Sequence, residues 1–397
     1  MTDALVLDVL LIIVLLLYIG YGLRHGLSRS GFVIAGITTG AIGAFFLAPV
    51  ISNWVPYPFL RPALTIIVAI GLIAAGHALG SLIGRGIRSG IQKSPLSGLD
   101  RVLGAVVTGV VAALVASLVG LSIGQLGVPL LSRAIAGSVV LRTINSFTPD
   151  PVEALLAQVR SAVAERGIPI ISDAFGGRPP VIPQIDTGSD ALNAAAQSVV
   201  RITGNALACG QSQSGTGFVV ADDRVVTNAH VVAGVSEPVI EALDGEVLPG
   251  VVVYFDPVDD LAVISVPGLS AMPLTLGDTM LAGTDAAVEG YPYGGPFAAG
   301  AAEIISVQSA RITDIYGSSR SEREVYTLAA DVREGNSGGP LLDLDGSVIG
   351  VIFAKSADTA NVGYAMTMTE LDPVAAHAAG LGSSVSSGDC TSGQLSG

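Results

Sequence analysis

Gly335-Asn336-Ser337-Gly338-Gly339-Pro340 sets one serine among three glycines and ends on a proline. Glycines let the backbone take tight or left-handed turns and approach a ligand closely. Such a turn pushes the Ser337 hydroxyl outward and leaves the N–H groups of Gly335 and Ser337 free to converge on one point. That is what an oxyanion hole requires. A plain glycine-rich turn reads the same way, so the stretch needs partners elsewhere in the chain.

Two partners lie upstream. Thr227-Asn228-Ala229-His230-Val231-Val232 supplies a histidine, and Asp256-Pro257-Val258-Asp259-Asp260-Leu261-Ala262-Val263-Ile264 supplies carboxylates. The chain order is therefore His, Asp, Ser. The carboxylate could be Asp256, Asp259 or Asp260. These three motifs resemble those of trypsin-like serine proteases, the bacterial HtrA-type branch in particular. In that family the aspartate directly precedes the apolar strand, which implies Asp260. Asp256 then shapes the turn with Pro257, and Asp259 is the alternative. The resemblance implies that His230 is the general base, Asp260 orients it, Ser337 is the nucleophile, and Gly335 and Ser337 form the oxyanion hole. It also implies two six-stranded β-barrels with the site between them.

Further site residues come from the same resemblance. Asp331 stands six residues before Ser337, a spacing that implies the floor of the S1 pocket and a basic P1 preference. Pairing of Asp331 with Arg333 or Lys355 is the competing reading. Gly363 keeps the pocket wall open, and Phe353-Ala354-Lys355 forms the strand that binds the substrate backbone. Asn336 stands where zymogen-type relatives carry an aspartate that pairs with a freed N-terminus. Asn cannot make that ion pair, so activation by N-terminal insertion is not expected.

The rest of the 397 residues is of two kinds. Mean hydropathy is +0.65, and the apolar excess lies in the first third. Four runs, about 5–22, 32–51, 62–83 and 102–124, are each long enough to cross a bilayer. Arg24, His25 and Arg29 follow the first run, and Arg85, Arg88, Lys93 and Arg101 separate the third from the fourth. The positive-inside rule puts both basic loops in the cytoplasm and the N-terminus and everything after run four outside. Gly36-x-x-x-Gly40, Gly76-x-x-x-Gly80 and Gly80-x-x-x-Gly84 predict close helix packing in lipid. Asp8 and His77 are ionisable groups in or near the spans; packing or solvation is the expected role. Tyr21-Gly22-Leu23-Arg24-His25-Gly26 with Leu99-Asp100-Arg101-Val102-Leu103-Gly104-Ala105 resembles the colicin V production (CvpA) membrane family. The combination resembles the mycobacterial membrane-anchored serine proteases linked to acid resistance.

The expected organisation is a four-span α-helical membrane domain over 1–126, a linker over 127–190, and an all-β chymotrypsin-like protease domain over 191–397. In the linker, Asp150-Pro151-Val152-Glu153 opens an amphipathic helix to about Arg166. Phe175-Gly176-Gly177-Arg178-Pro179-Pro180 is a breaker cluster, and residues from Phe175 to Ser189 are an expected self-cleavage zone. After Ala191, short strands alternate with turns, with hairpins at Asp222-Asp223 and Asp345-Gly346. Net charge is −14 with no basic face, which argues against a nucleic-acid partner. The expected partners are the lipid bilayer and peptide or protein substrates of the envelope. Neither a metal nor an organic cofactor is implied. The two cysteines, Cys209 and Cys390, flank the protease half. In an oxidising compartment they are expected to pair. The chain-entropy value for a loop of ~180 residues is about 5 kcal/mol.

Overall fold

A computed structural model provides the architecture. It describes residues 2–54, 61–91, 97–124, 131, 134–135, 137–149, 152, 156, 169–171, 179–206 and 211–391. The chain divides into two compact units, one over Asp8–Ser117 and one holding the remainder.

The first unit is helical: α1 (Thr2–Trp54), α2 (Arg61–Ile91) and α3 (Ser97–Gly124). All three contain stretches long and apolar enough to cross a membrane: Ala4–Ala44, Ile70–Ile87 and Ser97–Gly120. At 1.5 Å per residue, the 53 residues of α1 would extend about 80 Å, far beyond one bilayer. It is broken at Gly26, whose φ of 69° and ψ of 167° are not helical. The break frees backbone donors at the start of the second segment. Asp100 meets one of them, accepting the Ser28 N–H at 2.9 Å and also the Ser28 hydroxyl. The two stretches that resemble the CvpA family therefore meet at the bend.

Glycines set the packing inside this unit. A Cβ at Gly36 would lie 2.2 Å from the Gly76 carbonyl oxygen, and one at Gly76 would lie 2.1 Å from that of Gly36. The second segment of α1 and α2 thus approach backbone to backbone, along the small-residue faces read from the sequence. Ionisable residues behave differently from one another: Asp8 is buried, whereas His77 is exposed on the helix surface.

The second unit contains a short helix, α4 (Val139–Phe147), capped by the Ser138 hydroxyl, which accepts the Leu141 N–H at 3.1 Å. The helix expected over Asp150–Arg166 lies almost wholly outside the described residues. So do Phe175 to Arg178, Cys209, and the loop between the second and third apolar runs.

The strands follow in chain order. They are β1 (Ile170–Ile171), β2 (Val199–Ala206), β3 (Gln211–Ala221), β4 (Arg224–Thr227), β5 (Val239–Glu241), β6 (Val247–Pro249), β7 (Val251–Asp256) and β8 (Leu261–Ser265). β9 (Asp285–Gly290), β10 (Ala298–Thr313), β11 (Arg320–Ala330), β12 (Pro340–Leu342), β13 (Val348–Ser356) and β14 (Val362–Thr367) complete the set. Three helices join them: α5 (Asp190–Ala196), α6 (Ala229–Val232) and α7 (Met368–Ala378).

Two curled sheets result. One has the order β6-β5-β2-β3-β4-β8-β7. In the other, β13-β12-β9-β10-β11-β14 closes through a β13–β14 pairing, and β1 adds to β13 from outside. Among the described residues the pairings of the first sheet run from β6 to β7 without a closing pair. Each sheet wraps buried aliphatic residues. Val200, Ile202, Val225, Ile240 and Ile264 fill the first, and Ile304, Leu328, Leu341, Ile349 and Ile352 fill the second. A further cluster with Leu192, Phe218, Leu261, Phe353, Met366 and Leu371 draws α5 and α7 onto strands of both sheets. The two hairpins expected at Asp222-Asp223 and Asp345-Gly346 join β3 to β4 and β12 to β13.

Candidate active site

His230 sits in α6, the single helical turn that follows β4, and it is buried. Asp260 immediately precedes β8 and is also buried. Its φ of 57° is left-handed, a conformation that Asp tolerates better than most residues. That twist turns its carboxylate onto α6. Asp260 Oδ1 accepts the His230 backbone N–H at 2.9 Å, and its two oxygens lie 3.0 and 2.8 Å from His230 Nδ1. Asn228 fixes the far side by donating its side-chain N–H to the Asp260 carbonyl at 2.9 Å.

Neither of the other two candidate carboxylates is hydrogen-bonded to His230 among the described residues. Asp256 Oδ1 accepts the N–H groups of Val258 and Asp259, at 2.8 and 3.1 Å, and so closes the turn around Pro257. Asp259 is half-buried, and its carboxyl is raised by burial and by the neighbouring Asp256 charge. Of the three, Asp260 is the one hydrogen-bonded to His230.

Ser337 is buried in the loop before β12. The loop is pressed onto the first sheet. Gly338 has a φ of 80°, and a Cβ there would lie 2.3 Å from the Thr216 carbonyl and 2.9 Å from the Asn228 nitrogen. Only glycine fits, both for conformation and for space. This contact brings the Ser337 loop beside the residues leading into α6. Within it, Asn336 Oδ1 accepts the Arg333 N–H at 2.9 Å, so its amide organises the loop from inside. The N–H groups of Gly335 and Ser337 donate no hydrogen bond among the described residues. Ser337 Oγ and His230 Nε2 are both buried and without a hydrogen-bond partner among the described residues.

Thr216 escaped the sequence reading. It is fully buried on β3 and ties the two sheets at the serine loop. Its hydroxyl donates to the Gly335 carbonyl at 2.6 Å and accepts the Tyr291 N–H at 3.0 Å. Its backbone N–H donates to the Ser337 carbonyl at 2.8 Å, and its carbonyl accepts the Thr227 hydroxyl at 2.7 Å. Nothing in its local sequence separates it from other strand threonines. Arg323 on β11 is likewise unannounced: its guanidinium is buried, 5.7 Å from the centre of the Phe353 ring. Burial lowers its pKa, while Asp260, Asp259, Glu370 and Asp256 pull the other way.

The reading of Asp331 as the floor of S1 requires correction. Asp331 is exposed and paired with Arg333, whose Nε lies 2.9 Å from Asp331 Oδ2. Arg333 also donates to the Tyr293 hydroxyl at 3.0 Å. A surface carboxylate already paired is more favourable than a buried one without a partner. Beside Gly363 the space is taken by Val332: a Cβ on Gly363 would lie 2.3 Å from a Val332 methyl. Phe353 and Ala354 are buried and Lys355 is half-buried on β13. Among the described residues no group of His, Cys, Asp and Glu is gathered as for a metal ion.

Residues 215–351 match the trypsin-like peptidase domain, and residues 7–149 match the colicin V production protein family. The serine protease Rv3671c of Mycobacterium tuberculosis H37Rv is 34% identical over 402 residues, spanning 99% of this chain and 100% of that protein. The chain belongs to this family of serine proteases. The solved active form of the Rv3671c protease superposes with a TM-score of 0.51 at 39% identity, covering 56% of this chain and 100% of that one. The second unit accordingly has the chymotrypsin-like fold of the family, and the apolar helices of the first belong to its CvpA part.

Proposed function

We propose that the chain is a membrane-anchored serine endopeptidase that cuts peptide bonds on the outer side of a bacterial membrane. The observation that carries this reading is the buried Asp260–His230 pair, at 2.8 Å, beside a loop that holds Ser337. Asp260 holds the proton on His230 Nδ1, which leaves Nε2 as the basic nitrogen. Nε2 takes the Ser337 proton as Oγ attacks the peptide carbonyl, then gives it to the leaving amine. The N–H groups of Gly335 and Ser337 have no competing acceptor among the described residues and would receive the oxyanion. Catalytic hydrogen bonds between nucleophile and base commonly tighten only once substrate is bound, which fits unpartnered Oγ and Nε2 atoms.

The finer features rest on separate supports. Four spans follow if each segment of α1 crosses once, and the Gly26 bend favours that count. The basic loops then favour a protease on the outer side. Domain limits near 126 and 190 follow the change from apolar helices to strands. A Cys209–Cys390 disulfide is favoured because no described cysteine is free. Cys390 Sγ also lies at Gly234, beside Ala206, three residues before Cys209. Val332 against Gly363 favours small or apolar P1 side chains. A role in envelope stress or acid resistance, and self-cleavage between Phe175 and Ser189, are carried by the family resemblance and by the breaker-rich linker.

The test uses full-length chain in proteoliposomes with a fluorogenic peptide library. Hydrolysis by the wild type and none by Ser337→Ala is expected. Equal hydrolysis by both would sink the reading. A reporter active only outside the cytoplasm, fused after Gly397, tests the topology: activity is expected, and silence contradicts it.

A further inference from the structure

The strand expected to bind the substrate backbone already has a partner. Upstream, β13 is hydrogen-bonded beside the serine loop: Gly338 N–H donates to the Ile352 carbonyl at 2.8 Å and Ile352 N–H to Gly339 at 2.9 Å. Beyond Ile352 that edge continues past Phe353 to Lys355. There Ile170 and Ile171 of β1 pair in parallel with Lys355 and Ser356. The Lys355 N–H donates to the Pro169 carbonyl at 3.1 Å, and the Ala357 N–H to the Ile171 carbonyl at 2.9 Å. Ile171 also packs its side chain against the buried cluster that contains Phe353. The opposite edge of β13 is filled by β14, with Lys355 opposite Gly363. A peptide adding to β13 beside Ser337 has one edge to use, and the linker holds its far end.

We propose that the Lys355–Ala357 edge of β13 is a docking site for extended peptide whose resident ligand is the chain's own Pro169–Ile171, and that substrates must displace it. This rests on the protease reading above. Direction explains why the resident strand blocks without being cut. Parallel pairing makes the linker run away from Ser337 as it passes from Ile170 to Ile171. Its upstream residues, not its downstream ones, lead toward the nucleophile. A substrate delivering a carbonyl carbon to Ser337 from this edge, with its preceding residues along β13, must run the other way.

The energetics favour a displaceable ligand. Backbone hydrogen bonds at such an edge are individually weak in water, because they replace bonds to solvent, and Ile171 adds apolar contact. Covalent connection supplies the segment at an effective concentration in the millimolar range. A tethered strand can therefore hold the edge against dilute substrate while yielding to one that binds well. An edge occupied about nine parts in ten raises KM about tenfold, because only the open fraction binds.

The experiment compares full-length wild type, Ile171→Asp, and a variant with Pro169–Ile171 replaced by Gly-Ser-Gly. Ile171→Asp removes the apolar anchor, and the replacement keeps the length while stripping the side chains. Two readouts are taken: the rate of labelling by a small fluorophosphonate, which needs no β13 edge, and KM for a hexapeptide substrate, which does. Unchanged labelling with KM lowered about fivefold or more in both variants is expected. A synthetic Gly167–Asp173 peptide should raise KM again. Unchanged labelling with unchanged KM in both variants would overturn the docking proposal alone. No labelling of the wild type would overturn the protease reading and the proposal with it. A fall in labelling and in activity together, in the Gly-Ser-Gly chain as well as in Ile171→Asp, would make β1 a structural strand and not a ligand.

Discussion

Replacing Thr216 with Val removes one hydroxyl and leaves the shape of the side chain nearly intact. The hydroxyl satisfies two buried backbone groups, the Gly335 carbonyl at 2.6 Å and the Tyr291 N–H at 3.0 Å. Neither has another hydrogen-bond partner among the described residues. Leaving a buried polar group unpaired costs about 1–3 kcal/mol. Two such groups around one hydroxyl, on neighbouring loops, share their relaxation, so the expected loss is about 3 kcal/mol rather than the full sum. For a folded unit of this size that corresponds to roughly 6–12 °C in Tm. The Gly335 carbonyl belongs to the loop whose N–H groups are proposed to receive the oxyanion. Activity should therefore fall even well below the new Tm, by about 10–100-fold in kcat, with KM little changed. Thr216→Ser keeps the hydroxyl and should retain most of both properties. Scanning calorimetry and single-turnover acylation, on all three proteins, read the two effects separately. A Thr216→Val protein with wild-type kcat and a Tm within 2 °C (~0.5 kcal/mol) would refute the role assigned to this threonine.

Other outcomes follow from the same geometry. Gly338→Ala forces a Cβ into φ of 80° and to within 2.3 Å of backbone oxygen, so it should lose about 2–5 kcal/mol and nearly all peptidase activity; a folded, active Gly338→Ala by circular dichroism and peptide assay would contradict the packing. Glu289 is buried, and desolvation raises its carboxyl from 4.5 to about 8. The folded chain then holds a proton that the unfolded chain releases, so the stabilisation is full below pH 4.5 and is lost as pH rises through about 8. Glu289→Gln should flatten that slope, which is on the order of 4 kcal/mol across the window, as measured by urea unfolding at pH 5 and 8.5; an unchanged slope would show that Glu289 is ionised in the folded state. Asp331→Ala should leave the P1 profile of a peptide library unchanged, because its carboxylate pairs with Arg333 at the surface; loss of a dominant Arg or Lys preference would restore Asp331 to the pocket.

Much of this fold was legible because its signals are local. The turns at Asp222-Asp223 and Asp345-Gly346 are set by adjacent residues, and the small-residue faces of Gly36 and Gly76 repeat at helical spacing. The His230 and Ser337 stretches carry their own spacing. What stayed hidden depends on residues far apart in sequence. Thr216 is one strand threonine among several until Gly335 folds onto it from more than a hundred residues away. Asp331 fits an S1 floor by spacing alone, yet Arg333 two residues later captures it at the surface. The pairing of Ile170 with Lys355 could not be read, because a two-residue strand has no periodicity. The bend at Gly26 is similar: glycine permits it, but Asp100, which caps the new helix start, decides it.

The central claim is that Ser337 is a nucleophile activated by His230. The most direct measurement is fluorophosphonate labelling of the full-length chain in membranes, followed by mass mapping of the adduct. The account predicts one phosphonyl group on Ser337 in the wild type, none in Ser337→Ala, and labelling slowed by at least about 100-fold in His230→Ala. An unlabelled wild type, or an adduct on any other residue with Ser337 untouched, would contradict it.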